Sequence, residues 1–193
     1  MKNLLIVLLS FASFQLMAQH NALFDDFSIV GAFGGPIIEI GSINGEVGAD
    51  VGGGGAVLFD NVFLGGYGMG TDFAQAEILD GGEADRYDIK FSHGGLWLGY
   101  TQAPQKLVHL NTSVKIGWGR SRLRQDGDSR YTDQIFVMIP EVGVEVNLTS
   151  FFKMNLAAGY RWVNGINSLP GLDNGDFSSP VGILTFRFGG FDF

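Results

Sequence analysis

From residue 152 to residue 162 the chain alternates without a break. Phe152, Met154, Leu156, Ala158, Tyr160 and Trp162 fall on one phase, and Lys153, Asn155, Ala157, Gly159 and Arg161 on the other. Successive side chains of a β-strand point to opposite faces, so this segment has one greasy face and one small or charged face. Aromatics stand at the ends of the greasy face and aliphatics fill its middle. That arrangement suits the two interfaces and the hydrocarbon core of a lipid bilayer. A tilted strand of about 9–11 residues crosses a bilayer, and this segment has that length.

The first residues follow a different logic. Lys2 is a short positive start, residues 4–17 are an apolar run, and Ala18-Gln19 offers a small residue for cleavage. This layout predicts a secretory signal peptide over 1–19, an N-terminal tail over 20–26, and one β domain over 27–193. No later stretch approaches the ~18 uninterrupted apolar residues of a membrane helix. The chain has no cysteine, which excludes both a lipoprotein anchor and disulfide staples. A formal net charge of −8 does not suggest a nucleic-acid partner.

Alternation recurs along the chain. Over 27–42 the outward set reads Phe27, Ile29 and Phe33; at Gly34-Gly35-Pro36 the phase shifts, so that Ile38 and Ile40 face out and Glu39 in. A bulge is expected there. Asn44-Gly45 is a hairpin signal. A second strand over 46–59 places Val47, Ala49, Val51, Val57 and Phe59 opposite Glu46, Gly48, Asp50, Gly52 and Gly54. Asp60-Asn61 turns into a third strand over 62–71, with Phe63, Tyr67 and Met69 in one phase. Residues 72–86 read as a long acidic loop. A fourth strand over 87–100 carries Tyr87, Ile89 and Phe91 on one face; after His93-Gly94-Gly95 the apolar phase flips to Leu96, Leu98 and Tyr100. A fifth strand over 107–121 sets Val108, Leu110, Val114, Ile116 and Trp118 against His109, Asn111, Ser113, Lys115 and Gly117. Residues 122–133 read as a charged loop, 134–148 as a sixth strand, 163–179 as a loop, and the chain closes with Leu184, Phe186 and Phe188 opposite Thr185 and Arg187.

The reading is therefore all-β: an eight-stranded antiparallel up-and-down transmembrane β-barrel after a cleaved signal peptide. The even strand number is the one bacterial barrels use. Connections supply an independent test. With the N-terminus in the periplasm, the turns at 60–61, 101–106 and 149–150 share one side and are short, and the three long connections share the other.

On the lipid-facing alternation, this loop asymmetry and the C-terminal Leu184-Thr185-Phe186-Arg187-Phe188-Gly189-Gly190-Phe191-Asp192-Phe193, the mature chain resembles the small eight-stranded outer-membrane barrels of Gram-negative bacteria, OmpA-like or OmpX-like in architecture. The resemblance implies residence in the bacterial outer membrane. It also implies that the alternating aromatics Phe188, Phe191 and Phe193 are the signal read by the barrel-insertion machinery.

An eight-stranded barrel is only wide enough to be filled by its own side chains. Inward charges must then pair, because isolated buried charges are costly. The inward set is Glu39, Asp50, Lys90, His109, Lys115, Glu141, Glu145, Lys153, Arg161 and Arg187. Across the turn at 149–150, Asn147 lies near Lys153, Glu145 lies diagonal to Lys153, and Glu141 lies diagonal to Arg161. The expectation is a salt-bridge network that plugs the lumen, over Glu39, Asp50, Lys115, Glu141, Glu145, Lys153, Arg161 and Arg187.

Catalytic signatures are missing. His109 and Ser113 share the inward face, but four residues of strand set them roughly 13 Å apart, too far for hydrogen-bonded activation. Asp126-Gly127-Asp128 and Asp173-Asn174-Gly175-Asp176 fall short of the calcium-loop pattern. No catalytic residue, metal or cofactor is expected. Arg120, Arg122 and Arg124 continue the outward phase beyond Trp118, at the outer rim. Guanidinium pairs well with phosphate, so they are candidates for contact with lipopolysaccharide. The expected role is structural or one of surface interaction, with outer-membrane lipids and an unknown extracellular partner. A small passive pore and an exported soluble lipocalin-like barrel, with its greasy face inward around a hydrophobic ligand, are the alternatives.

Overall fold

The computed structural model describes residues 28–71, 74–80, 83–125 and 128–191. The signal peptide, the tail and Phe193 lie outside these residues. The strands are β1 (Ile29–Ile43), β2 (Glu46–Phe59), β3 (Val62–Thr71), β4 (Gln75–Asp80), β5 (Glu83–Thr101), β6 (Val108–Gln125), β7 (Asp128–Asn147), β8 (Phe152–Asn164) and β9 (Ser179–Phe191). One short helix, α1 (Asn174–Phe177), precedes β9. β3 and β4 pair with successive parts of β5 and act as one stave. The eight staves pair antiparallel with their neighbours, and β1 with β9 closes the barrel.

Short turns set the pairing. Asn44 and Gly45 both have positive φ, 51° and 78°, the mirror-image turn whose twist matches a hairpin. Asp60 repeats the device with φ 50°. On the far side, two of the three expected long loops are mostly strand. β4 and β5 continue to the pair Asp80–Glu83, and β6 and β7 to Gln125–Asp128. Their alternation is masked in the sequence by charge on the outward phase. The β6–β7 hairpin thus rises seven residues beyond Trp118, roughly 23 Å of strand.

The bulge of β1 lies between Ile29 and Gly31, not at Gly34-Gly35-Pro36. Register with β2 is unbroken from Gly31 to Ile43, so Phe33 points into the lumen with Ile37 and Glu39. β5 likewise keeps one phase, paired continuously with β6 from Asp88 to Thr101. Tyr87, Ile89, Phe91, His93 and Trp97 all face inward. It is the apolar character that changes side. Above the belt the inner face packs on the loop before β9, whereas below it the outer face is the greasy one.

The outer face carries exposed Ile40, Val51, Leu64, Leu96, Leu98, Leu110, Val142, Val144 and Leu156. A barrel with its greasy face inward is therefore not what forms, and the lipocalin expectation fails. Two aromatic rims bound this band. Trp118 packs on Phe136 with ring centroids 5.8 Å apart, and Tyr160 on Trp162 at 4.9 Å. At the other rim Phe152 stacks on Phe188 at 4.6 Å. Phe152 and Trp162 are ten residues apart on β8, roughly 33 Å of strand. At a tilt of about 40° that spans ~25 Å, the height of an outer-membrane apolar band.

Candidate functional site: the filled lumen and the basic outer rim

Inside the barrel, charge and aromatic rings interleave. Glu39, Asp50, Lys115, Glu141, Glu145, Lys153, Arg161 and Arg187 are all buried on the inner face. They divide into two groups along the axis. In the group nearer the end where the β4–β5 and β6–β7 hairpins rise, Glu39 and Asp50 stand directly opposite each other on β1 and β2. Arg161 reaches across from β8 to both, with one amino group 3.0 Å from Glu39 Oε1 and also donating to Asp50 Oδ2. Its Nε donates to the carbonyl of Phe177 at 2.9 Å and its other amino group to that of Ser42 at 2.8 Å. Glu141 does not take Arg161, although the two are diagonal. It faces β6 instead, where Lys115 Nζ donates to Oε2 at 2.6 Å and Ser113 to Oε1. Arg161 is long enough to span the lumen, so local strand register does not choose its partner.

The second group lies toward the opposite mouth, at the end with the short turns. Asn147 pairs with Lys153 across the turn. Glu145 accepts from Arg187 at 2.5 Å and from His109 Nε2 at 3.0 Å, and Lys153 Nζ lies 3.9 Å away as an ion pair. Arg187 also lies over the rings of Phe33, Phe63 and Trp97, 4.6, 4.7 and 5.2 Å from their centroids. Cation–π attraction strengthens when both partners are desolvated. Lys153 sits 4.2 Å above the Phe191 ring.

The aromatic filling was not read from sequence. Phe33, Phe63 and Trp97 meet edge to face at 5.2 to 5.5 Å. The available signal was the glycine run of β2. A Cβ on Gly54 would lie 3.2 Å from both Trp97 and Ile37, and the Phe63 ring occupies the space that a Cβ on Gly99 would need. Glycines on the inner face therefore mark where large inward rings lie. Tyr67 bonds His93 Nδ1 at 3.1 Å, and Trp97 Nε1 donates to Ser113 at 3.0 Å.

A lid crosses the mouth at the end of the barrel where the β4–β5 and β6–β7 hairpins rise. Residues 165–178 lie over it, with Ile166, Leu169 and Phe177 buried and Phe177 5.6 Å from the Phe91 ring. Asp173 caps α1 in a reciprocal box with Asp176, so these two carboxylates bind backbone. Asp133 holds the lid: one carboxylate oxygen accepts the N–H groups of Asn167, Ser168 and Leu169 at 2.7, 2.7 and 3.2 Å. Burial pushes its carboxyl up, but those donors outweigh it and hold it below the ordinary aspartate range. Among the described residues no cluster of three or more His, Cys, Asp or Glu forms a metal site. His109 and Ser113 bond different carboxylates.

Outside the barrel, Arg120, Arg122 and Arg124 line up on β6 above Trp118. Lys90 joins them, correcting its expected inward placement: it pairs with Arg122 in register, on the outer face of β5. Two grooves run over this patch, of about 400 Å³ along Ser92, Trp118, Arg120 and Arg122 and about 430 Å³ along Lys90, Ser92, Arg122 and Arg124. At the C-terminus, Phe188 faces outward while Phe191 turns into the lumen 6.3 Å from Phe33, so the two do not share a face.

The backbone of Neisserial surface protein A superposes with a TM-score of 0.56 at 12% identity, over 84% of this chain and 96% of that one. The chain has the fold of the small outer-membrane barrels of Gram-negative bacteria. The N-terminal barrel domain of Pseudomonas aeruginosa OprF matches with a TM-score of 0.49 at 12% identity, over 83% of this chain and 98% of that one. Ail, the attachment invasion locus protein of Yersinia pestis, gives 0.46 at 14%, over 84% and 98%. No protein-family model and no curated protein sequence matches this outer-membrane-type barrel.

Proposed function

We propose that this protein is an integral outer-membrane barrel, exported by a signal peptide over 1–19, with a structural or surface-interaction role and no catalytic activity. One observation carries the reading. The outer face is a continuous apolar band between aromatic rims, while the lumen is filled by paired charges, rings and a bonded lid. A surface of that kind suits lipid, and an interior of that kind gives solutes no path. The filled lumen weighs against the passive-pore reading. The parts that project are the two long hairpins and the lid, and an extracellular partner would meet these first.

Gel mobility of the detergent-folded protein, unheated and boiled, tests the placement. A mobility shift with recovery in the outer-membrane fraction is expected; no shift, with the protein soluble in the periplasm, would refute it. Planar-bilayer recording then tests the filled lumen, and steady single-channel conductance would restore the pore.

The same reading assigns Arg120, Arg122 and Arg124 to lipopolysaccharide phosphates, with Lys90 beside them. Guanidinium groups just above an aromatic rim lie at phosphate height. Replacing the three arginines with Gln should reduce lipopolysaccharide co-purification without changing the fold, and undiminished co-purification would sink the assignment. It further assigns Phe188, Phe191 and Phe193 to recognition by the insertion machinery. Replacing Phe193 with Ala should slow assembly in cells and leave the assembled barrel unchanged.

A further inference from the structure

Two arginines on the outward face of β6 lack a partner among the described residues. Arg120 and Arg122 follow each other on one face of the strand, roughly 7 Å apart. In register, Arg120 is flanked by Ser92 and Gln134, and Arg122 by Lys90 and Thr132, so no carboxylate stands directly beside either. Neither guanidinium makes a hydrogen bond or ion pair with a described residue, whereas Lys90 and Arg124 have contacts of their own. The nearest carboxylate by register is Asp88, which stands opposite Arg124 and accepts from Gln75 Nε2 at 3.1 Å. Glu77, further along the hairpin, is bonded to Arg86.

The groove beside these two arginines changes character along its length. It holds about 400 Å³ and is lined by Gly68, Ser92, Trp118, Arg120 and Arg122. One row of the sheet reads Gly70, Ser92, Arg120 across β3, β5 and β6, and the next row toward the apolar band reads Gly68, Gly94, Trp118. The row after that brings Leu96 and Ile116. One end of the groove is therefore cationic, and the other is an exposed tryptophan beside bare backbone that leads into the apolar band. The sheet does not need glycine at position 68, because a Cβ there would meet nothing within 4 Å. Glycine weakens a strand interior and is found where a ligand comes close to the backbone. The second groove, of about 430 Å³, shares Ser92 and Arg122 and continues past Lys90 and Arg124.

We propose that the groove between β3 and β6 binds one lipopolysaccharide molecule by its lipid A moiety: a phosphate monoester bridges Arg120 and Arg122, and the adjoining acyl chain lies on Gly68 and Gly94 against Trp118. The inference rests on the assignment of the rim to lipopolysaccharide phosphates and adds a defined seat for the chain. Two guanidiniums side by side repel each other, and a phosphate between them accepts from both. A soluble anion would use the cationic end alone and an uncharged lipid the apolar end alone. A phosphorylated acyl lipid uses both, and its saccharide continues into the second groove.

Native mass spectrometry of the detergent-folded protein, titrated with purified lipid A, tests this. One-to-one binding is expected. The double variant Arg120→Gln/Arg122→Gln should weaken it by about tenfold or more. Gly68→Leu fills the chain's seat without touching a charge, and should weaken it by roughly tenfold as well. The fully deacylated phosphosaccharide should bind much more weakly than lipid A, and equally to the parent and to Gly68→Leu. Undiminished lipid A binding by Gly68→Leu, with a loss in the double arginine variant, would overturn the seat and leave the phosphate assignment standing. Undiminished binding by the double arginine variant would overturn both. Deacylated saccharide or dextran sulfate binding as tightly as lipid A would mean that the rim takes a soluble polyanion, and would overturn the proposal. Should Gly68→Leu fail the unheated-gel test for folding, Trp118→Ala removes the groove's wall; it must weaken lipid A binding and spare that of the phosphosaccharide, and undiminished lipid A binding overturns the proposal equally.

Discussion

The two halves of the lumen solve the same problem in opposite ways. Toward the hairpin end, three carboxylates (Glu39, Asp50, Glu141) meet two cations (Arg161, Lys115), and one guanidinium spans the barrel to tie β1, β2, β8 and the lid. Toward the short-turn end, one carboxylate gathers three basic side chains, and aromatic rings cushion the guanidinium. The upper group works as a cross-brace because its hub, on β8, is bonded to β1, β2 and the lid. The lower group works as a packed ring cluster in which the carboxylate is one contact among several. Burial alone does not set a charge's importance; the number of groups left stranded by its removal does.

The largest effect is expected at that upper hub. Arg161→Ala strands two facing carboxylates and releases the lid, and should cost about 3–5 kcal/mol in urea unfolding of the vesicle-folded barrel. A loss below 1 kcal/mol would break the comparison. Glu145→Gln should cost less, about 1.5–3 kcal/mol, because Arg187 keeps its three rings. A cost equal to that of Arg161→Ala would mean that the rings contribute little.

A smaller, local effect belongs to the lid. The Asp133 carboxyl is held below its ordinary value by the three lid amides. Its contribution is therefore complete above the ordinary aspartate pKa of about 3.9 and is lost as pH falls through the lowered value. Amide exchange at 167–169, corrected for intrinsic rate, should speed up on acidification in that window. Asp133→Asn should show fast exchange already at neutral pH, and protection that is the same in both proteins would remove Asp133 from the lid. The smallest effect is at Lys90. On the outer face, Lys90→Gln should change unfolding by no more than about 0.5 kcal/mol; a loss of several kcal/mol would return it to the lumen.

The resemblance to small barrels rests in part on features that survive in the structure: alternation on β6 and β8, and short turns at 60–61 and 149–150. Errors gathered where the inside is as apolar as the outside. Greasiness alone misplaces Phe33 and the run Tyr87, Ile89, Phe91, because it does not distinguish lipid from a ring-filled lumen. Charged outward phases had the converse effect and disguised the extended hairpins as loops. Charge alone turns Lys90 inward for the same reason: beyond the apolar band, outward residues are polar.

By itself the sequence determined the eight antiparallel staves and which phase of β2, β6, β7, β8 and β9 carries the outer apolar band. Each of these follows from a two-residue period and from turn chemistry, both of which act within a few residues. Tertiary structure decided which charge meets which, where Trp97 and Phe63 lie, and that Asp133 fastens the lid. Those contacts span the lumen or the mouth, joining residues such as Glu39 and Arg161 that are 122 positions apart. Strand register brings such side chains to the same face, but only closure of the barrel brings them within reach.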